Sequence, residues 1–307
     1  MKDSKLSIWL AELRAPFFTA STVPVLVGTA LAYSTAGVFQ PSLFILALLG
    51  MVALHAGANI ANDYFDHTSG NDWANENVTP FSGGSRLIQK GLLPPKSVLT
   101  AAWIAFSIAA IIGIIILLLT KSLFLLVLGL TGLLGGYFYT ASPLRLGYRG
   151  IGELIIAVLF GLLPVYGSYY LQTRTIDLVP LMPAAVVAML IFLVILVNEF
   201  PDVAADRAVR KKTLVVMFGE SFAVWICRLV LSATFCLTAV SIFVFKTMTL
   251  PCLLYLATLP LAVLILKSLN REVLQKHSGH NANRLTVLLH LTGGVMLSIG
   301  FLLVPLI

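Results

Sequence analysis

The chain has 307 residues, of which 59% are hydrophobic and 11% charged, with a formal net charge of +7. A soluble domain carries about 25% charged residues, so this composition excludes one and points to a polytopic membrane protein. Its apolar runs are continuous rather than alternating, which excludes a β-barrel, and its positive charge sits in the connections between those runs, which fits membrane orientation and anionic lipid rather than nucleic acid.

The start, Met1-Lys2-Asp3-Ser4-Lys5, is short and charged. No separate apolar stretch with a small-residue cleavage site follows it, so no removable signal peptide is expected. Apolar windows and breakers predict nine helical spans, at 15–34, 42–61, 97–119, 122–140, 151–171, 178–198, 221–244, 249–268 and 285–307. The connections alternate in charge. The side holding the N-terminus and loops 62–96, 141–150, 199–220 and 269–284 has sixteen Lys and Arg, while the other has only Lys121, Arg174 and Lys246. Arg228 lies inside the seventh span. By the positive-inside rule the N-terminus is cytoplasmic.

The second span ends in His55, Asn59 and then Asn62-Asp63-Tyr64-Phe65-Asp66, with Asp72 and Glu76 close behind. On a helix, Asn59, Asp63 and Asp66 share one face, and His55 extends it inward. His55 reads more simply as a satisfied intramembrane histidine than as a ligand. The loop continues through Phe81-Ser82-Gly83-Gly84-Ser85-Arg86 to Lys90; its glycine pair offers backbone N–H groups but is weak evidence by itself. Between the fourth and fifth spans runs Tyr139 to Glu153, a tight polar turn containing Arg145, Tyr148 and Arg149. Glu153 is expected to pair with Arg149, or else to accept a proton. Tyr137, Tyr139, Tyr166, Tyr169 and Tyr170 are candidates for a cavity wall, though packing and the interface belt account for most of them. The sixth span ends in Asn198-Glu199-Phe200-Pro201-Asp202, followed by Asp206, Arg207 and Arg210-Lys211-Lys212-Thr213. Asn198, Asp202 and Asp206 fall on one helical face, with Pro201 marking a kink. Cys227, Cys236 and Cys252 lie in or near apolar runs and read as small buried hydrophobes.

Asn62, Asp63 and Asp66 recur 136 positions later as Asn198, Glu199 and Asp202, and the two clusters hold seven of the chain's thirteen acids. The offset covers four spans, so the chain reads as two four-helix repeats in parallel orientation plus one helix. Both clusters then reach the cytoplasmic face. Acids gathered at a membrane boundary need a polar cavity or a metal. Hard oxygen ligands select Mg²⁺, or Mn²⁺, and Mg²⁺ is usually held by one or two carboxylates together with substrate phosphates. The basic residues behind each cluster suit the remaining phosphate oxygens. The expected site is therefore a metal-bridged diphosphate site in two halves. A solvated acidic loop is the plain alternative for the acids, and simple topology the plain alternative for most of the cations; Arg86, Lys211 and Lys212 stand closest to the acids.

These residues resemble the UbiA superfamily of membrane prenyltransferases. NDYFDHTSGND from Asn62 fits that family's first aspartate motif, and NEFPDVAADRAVRKKT from Asn198 resembles the second. LRAPFFTASTVPVLVGTALA from Leu13, KGLLPPKSV from Lys90 and YTASPLRLGYRGIGEL from Tyr139 look like the branch that prenylates 1,4-dihydroxy-2-naphthoate in menaquinone biosynthesis. Glu199, and the spaced basic residues where the family has a Gly-Lys-Arg-Thr run, depart from the pattern. The resemblance implies an enzyme in the cell membrane, with one domain over 1–307 and loops 62–96 and 199–220 as its active site. It implies Mg²⁺, an isoprenoid diphosphate donor, an aromatic acceptor, lipid around the prenyl tail and no obligate protein partner. On that resemblance Asp63, Asp66, Asp202 and Asp206 hold metal, Asn62, Asn198 and Asp72 support them or ligate directly, and Arg86, Lys211 and Lys212 hold diphosphate. Asn59, Tyr139, Arg145 and Arg149 are the candidates for the acceptor. Hydroxybenzoate, homogentisate, a porphyrin or a glyceryl phosphate lipid are the alternative acceptors. A secondary transporter is the rival of another class, but its sites tend to lie near the midplane in inverted repeats.

Overall fold

The computed structural model describes residues 4–270 and 280–306. The expected loop 269–284 therefore lies partly outside the described residues, as do Lys2, Arg271 and Lys276. Apart from one isolated β-bridge between Arg149 and Lys212, the regular structure described is helical. The short helix α1 (Lys5–Glu12) starts at Ser4, whose hydroxyl accepts from the Ser7 N–H. A 3₁₀ turn (Ala15–Phe18) leads into α2 (Thr19–Ala36). Then follow α3 (Pro41–Ser69), α4 (Asn71–Ala74), α5 (Pro95–Thr120) and α6 (Leu123–Phe138). Next are α7 (Gly152–Ala157), a π-helical turn (Val158–Leu162), α8 (Leu163–Thr173), α9 (Leu181–Asn198), α10 (Val203–Ala208) and α11 (Leu214–Phe218). The chain ends with α12 (Glu220–Val244), α13 (Thr249–Leu256), α14 (Leu259–Ser268) and α15 (His280–Leu303). Among the described residues seven helical segments are long and apolar enough to cross a membrane, and α13 with α14 form a bent eighth. α6 is a shorter apolar helix of 16 residues.

Two elements differ from the window reading for physical reasons. The stretch expected as one span over 249–268 bends by 43° between α13 and α14. Pro260 at the start of α14 has no N–H to continue the ladder. α3 runs for 29 residues, eight past the expected boundary. At 1.5 Å per residue it is about 43 Å long, against roughly 30 Å of hydrocarbon. Its last two turns, which carry the first acid cluster, exceed the length an upright helix needs to cross that layer. Hydropathy drops at Asn62, but nothing there breaks a helix until Gly70, which takes φ +84°.

The core lies between α2, α9 and α15, where Val23, Val27, Leu190, Leu193, Leu196, Leu289 and Leu297 are buried. Small residues let these helices approach closely. A Cβ on Gly161 would stand 2.4 Å from Ala188 Cα, and one on Gly294 would stand 2.1 Å from Val23 Cγ1. The π turn at Val158–Leu162 immediately precedes Pro164, whose ring removes a donor and would crowd a regular turn. On the outside, α5 and α12 expose Ile104, Ile111, Leu118, Leu229 and Phe243, as lipid-facing helices do. Arg228, inside α12, donates to the Leu269 carbonyl at 2.8 Å and so caps the end of α14.

Candidate active site

α3 delivers Asn59, Asn62, Asp63 and Asp66 on one unbroken helix, as the spacing predicts. Asp63 and Asp66 are buried. The Ser85 N–H donates to Asp63 Oδ2 at 2.9 Å, and the Ser85 hydroxyl donates to Glu12 Oε2 at 2.6 Å. Arg14 Nη1 lies 3.8 Å from Asp63 Oδ1. Asn62 Nδ2 donates to Asp66 Oδ2 at 3.1 Å, one turn along the same helix. Asp72 accepts from Gln89 at 2.8 Å, and its backbone carbonyl takes the Arg86 guanidinium.

The second cluster is built differently. α9 stops at Asn198, residues 199–202 turn, and α10 begins at Val203. The single helical column expected over Asn198, Asp202 and Asp206 is therefore broken, because Pro201 cannot continue the ladder of α9. The break lets the two clusters clasp. Asn71 Nδ2 donates to Asp206 Oδ1 at 2.8 Å, and Asn75 Nδ2 donates to Asp202 Oδ1 at 2.7 Å. Asn71 and Asn75 are four residues apart, as are Asp202 and Asp206, and the two rungs run in opposite senses. Asn198 accepts from Asn283 at 2.5 Å, which ties α9 to α15.

A third segment enters from the turn after α6. Tyr148 donates its hydroxyl to Asp66 Oδ1 at 3.0 Å and to Ser69 Oγ at 3.2 Å. Lys211 Nζ lies 3.3 Å from Asp206 Oδ1 and 5.7 Å from the centre of the Tyr148 ring. Burial opposes the Lys211 charge, but Asp206 and Asp66 outweigh it and hold the ammonium well above its ordinary range. Burial, and then neighbouring Asp66 and Asp63, push Asp72 up to about 8. Burial and Asp206 push Asp202 up to about 7. Burial also raises Asp206, against the pull of Lys211.

These groups surround the mouth of a cavity of about 190 Å³. Asn59, Asn62, Asp66, Asp72, Asn198, Asp202, Asp206, Lys211 and Tyr139 all line it, together with Arg14, His55 and His290. Its deeper wall is apolar, with Ala20, Phe160, Ile191, Ile195 and Val287. Five predicted site residues are not on its lining. Asp63 is buried beside it, on the Ser85 N–H and near Arg14. Arg86 is spent on the Asp72 carbonyl. Lys212 is exposed, with its N–H on the Tyr148 carbonyl. Arg145 stacks over Tyr148 on the exposed side, and Arg149 binds the Leu144 and Pro143 carbonyls. Glu153 makes no pair with Arg149; it accepts from the Leu214 N–H at 2.6 Å and stands beside the Glu199 carboxyl. Burial and that carboxyl neighbour hold Glu199 well above the usual carboxylate range.

The chain matches the UbiA prenyltransferase family over residues 21–303. The chain belongs to that family. It is 32% identical over 289 residues to the 1,4-dihydroxy-2-naphthoate octaprenyltransferase of Mycobacterium leprae, covering 94% of this chain and 92% of that one. It is 27% identical over 305 residues to the 2-carboxy-1,4-naphthoquinone phytyltransferase of Synechocystis, covering 96% and 92%. Its fold is shared by a UbiA homolog from Archaeoglobus fulgidus solved with DMAPP and Mg²⁺, at TM-score 0.72 and 15% identity, covering 97% of this chain and 99% of that one.

In this UbiA-family chain the donor set suits a divalent cation. Asp63 Oδ1 and Asp206 Oδ2 are buried and accept no hydrogen bond. A Cβ on Gly84 would stand 3.0 Å from Asp63 Oδ1 and within 3.4 Å of both Asp72 carboxylate oxygens. The acids thus border a space that only glycine, at φ +70°, leaves open. Asp72, Asp202 and Asp206 are raised first by burial, and Asp72 and Asp202 next by neighbouring carboxylates, a setting that a bound cation would relieve. Among the described residues no three His, Cys, Asp or Glu side chains stand close enough to hold a metal ion by themselves. Such openness is what Mg²⁺ tolerates when substrate phosphates complete its shell. Arg14, Asn71, Asn75, Tyr148 and Ser85 were missed by sequence reasoning. Asn71 stands inside the first motif, and Arg14, Ser85 and Tyr148 stand inside stretches quoted above, though their roles there were not assigned; Asn75 carries no local signal.

Proposed function

We propose that this prenyltransferase moves a polyprenyl group from an isoprenoid diphosphate to 1,4-dihydroxy-2-naphthoate, as a step of menaquinone biosynthesis. The observation that carries the reading is the clasp itself: two aspartate motifs, joined rung to rung, at the mouth of one apolar cavity. The relatives' names support the acceptor more than the donor. Both name a carboxylated naphthalene ring, but one names an octaprenyl and the other a phytyl tail, so donor length is left open.

Asp63, Asp66, Asp202 and Asp206 would hold Mg²⁺, or Mn²⁺ in its place, with Asp72, Asn62 and Asn198 beside them. When bound, the ion neutralises the diphosphate and eases its departure. Lys211 and Arg14 face the same mouth and hold phosphate oxygens as charge develops on the leaving group. The apolar wall excludes water from the reacting carbon, and Phe160 offers an aromatic face toward the positive charge that grows there. A ring carbon of the acceptor then bonds to the prenyl carbon within the cavity as the diphosphate leaves, and the ring loses carbon dioxide to regain its aromatic system. The whole chain acts as one domain, with nine spans, α6 and the bent pair α13–α14 among them. The N-terminus and both motifs lie on the cytoplasmic side of the cell membrane.

The test is transfer of a labelled prenyl group in isolated membranes, with dihydroxynaphthoate in one arm and hydroxybenzoate in another. Transfer is expected with the naphthoate, to be lost on chelation and restored by Mg²⁺. Asp66→Ala and Asp202→Ala are each expected to lower kcat by about 100-fold or more. No transfer to any aromatic acceptor would overturn the reading, and transfer to hydroxybenzoate alone would move it to another acceptor.

A further inference from the structure

Two histidines line the cavity below the acids, and they are held differently. His55 on α3 has Nδ1 2.7 Å from Ser21 Oγ, and its ring lies 4.6 Å from Phe160. His290 on α15 is 1% exposed, and its Nε2 makes no hydrogen bond. A neutral imidazole carries one donor and one acceptor. Burying either without a partner is unfavourable, so natural chains rarely keep such a group for packing alone.

The depth of His290 limits what it meets. Asn283 binds Asn198, the last residue of α9, and so fixes α15 at the level of the second motif. His290 follows seven residues later on the same helical face, about 10 Å deeper. Val287, one turn before it on α15, is apolar and lines the same cavity, as do Ile191, Val194 and Ile195 on α9. A diphosphate belongs at the mouth, where Lys211 and Arg14 stand. A polyprenyl tail has nothing to offer an imidazole. The remaining substrate with a polar group at this depth is the aromatic acceptor.

We propose that His290 is an acceptor-recognition residue. Its Nε2 accepts a hydrogen bond from a ring hydroxyl of the acceptor, and this turns the ring toward the donor carbon. The bond also leaves electron density on that oxygen, and so on the ring carbon that attacks. The inference rests on the prenyl-transfer reading above and adds the residue that sets its acceptor specificity.

The test uses the full chain in detergent with Mg²⁺, a prenyl diphosphate and dihydroxynaphthoate, comparing wild type, His290→Leu and His290→Gln. Leucine is expected to raise the KM for the acceptor roughly tenfold, with the KM for the donor within about twofold and no loss of thermal stability. Removing an unpaired polar atom does not weaken a fold. Glutamine, which restores a hydrogen-bonding group, should recover part of the acceptor KM. An unchanged acceptor KM, an equal rise in both constants, or a drop in melting temperature with leucine overturns the assignment while leaving the transferase reading intact. Failure of the wild type with every aromatic acceptor overturns both.

Discussion

Lys211 and Lys212 are neighbours in sequence with opposite surroundings. Lys211 points into the mouth, 3.3 Å from Asp206, while the Lys212 side chain is exposed and only its backbone is engaged. Lys211→Ala is expected to lower kcat by about 100-fold, whereas Lys212→Ala should stay within about threefold, both read by prenyl transfer at saturating Mg²⁺. Spacing alone ranked the two equally. The acids themselves were legible, because buried carboxylates at a span end need a cation or a cavity. What holds them was not legible. Asn71 reaches Asp206 across 135 residues of chain, and Tyr148 reaches Asp66 across 82; no local pattern encodes such pairings. A second rung prediction follows from the same geometry. Asn71→Ala removes one of the two donors on Asp206 Oδ1, leaving Lys211 alone there, and a hydrogen bond to a charged group contributes about 1.5–3 kcal/mol. A tenfold or larger rise in the Mg²⁺ concentration for half-maximal activity is expected in a metal titration.

Helices were easier to read than their interruptions. Apolar runs mark spans because lipid leaves the backbone no other way to satisfy its polar groups. α3 outruns its apolar window, since helix propensity and hydropathy end at different residues. The turn at 199–202, the π turn before Pro164 and the bend before Pro260 all depend on where a missing N–H is absorbed, and windows average over that. The π turn is functionally placed: Phe160 within it lines the cavity and packs on His55. It is pinned by Gly161, which lies against the backbone of Ala188 on α9. Gly161→Val would force the two helices apart at a cost of about 1–3 kcal/mol. A lower melting temperature in detergent is expected, together with reduced transfer, because the wall that carries Phe160 moves with it.

For the whole molecule, the distribution of charge makes a claim about sidedness. On the nine-span reading, sixteen Lys and Arg in the sequence fall on the side of the motifs, with Lys121, Arg174 and Lys246 opposite. Single cysteines placed at Lys90 and at Thr175, in a chain with Cys227, Cys236 and Cys252 replaced, test this with an impermeant maleimide. Position 175 should label in intact cells, and position 90 only in inverted vesicles. The reverse pattern would put the active site outside.

The Asn–Asp rungs also have a meaning in time. A chain made at about 5–20 residues per second needs roughly 7 to 27 s to travel from Asn71 to Asp206, the 135 positions that separate them. Throughout that interval Asn71 and Asn75 lack Asp206 and Asp202, the carboxylates they bond in the folded chain. The half-made protein therefore carries acids but no clamp. On the function proposed above, diphosphate binding would arise late, when Asp202 and Asp206 close on Asn75 and Asn71.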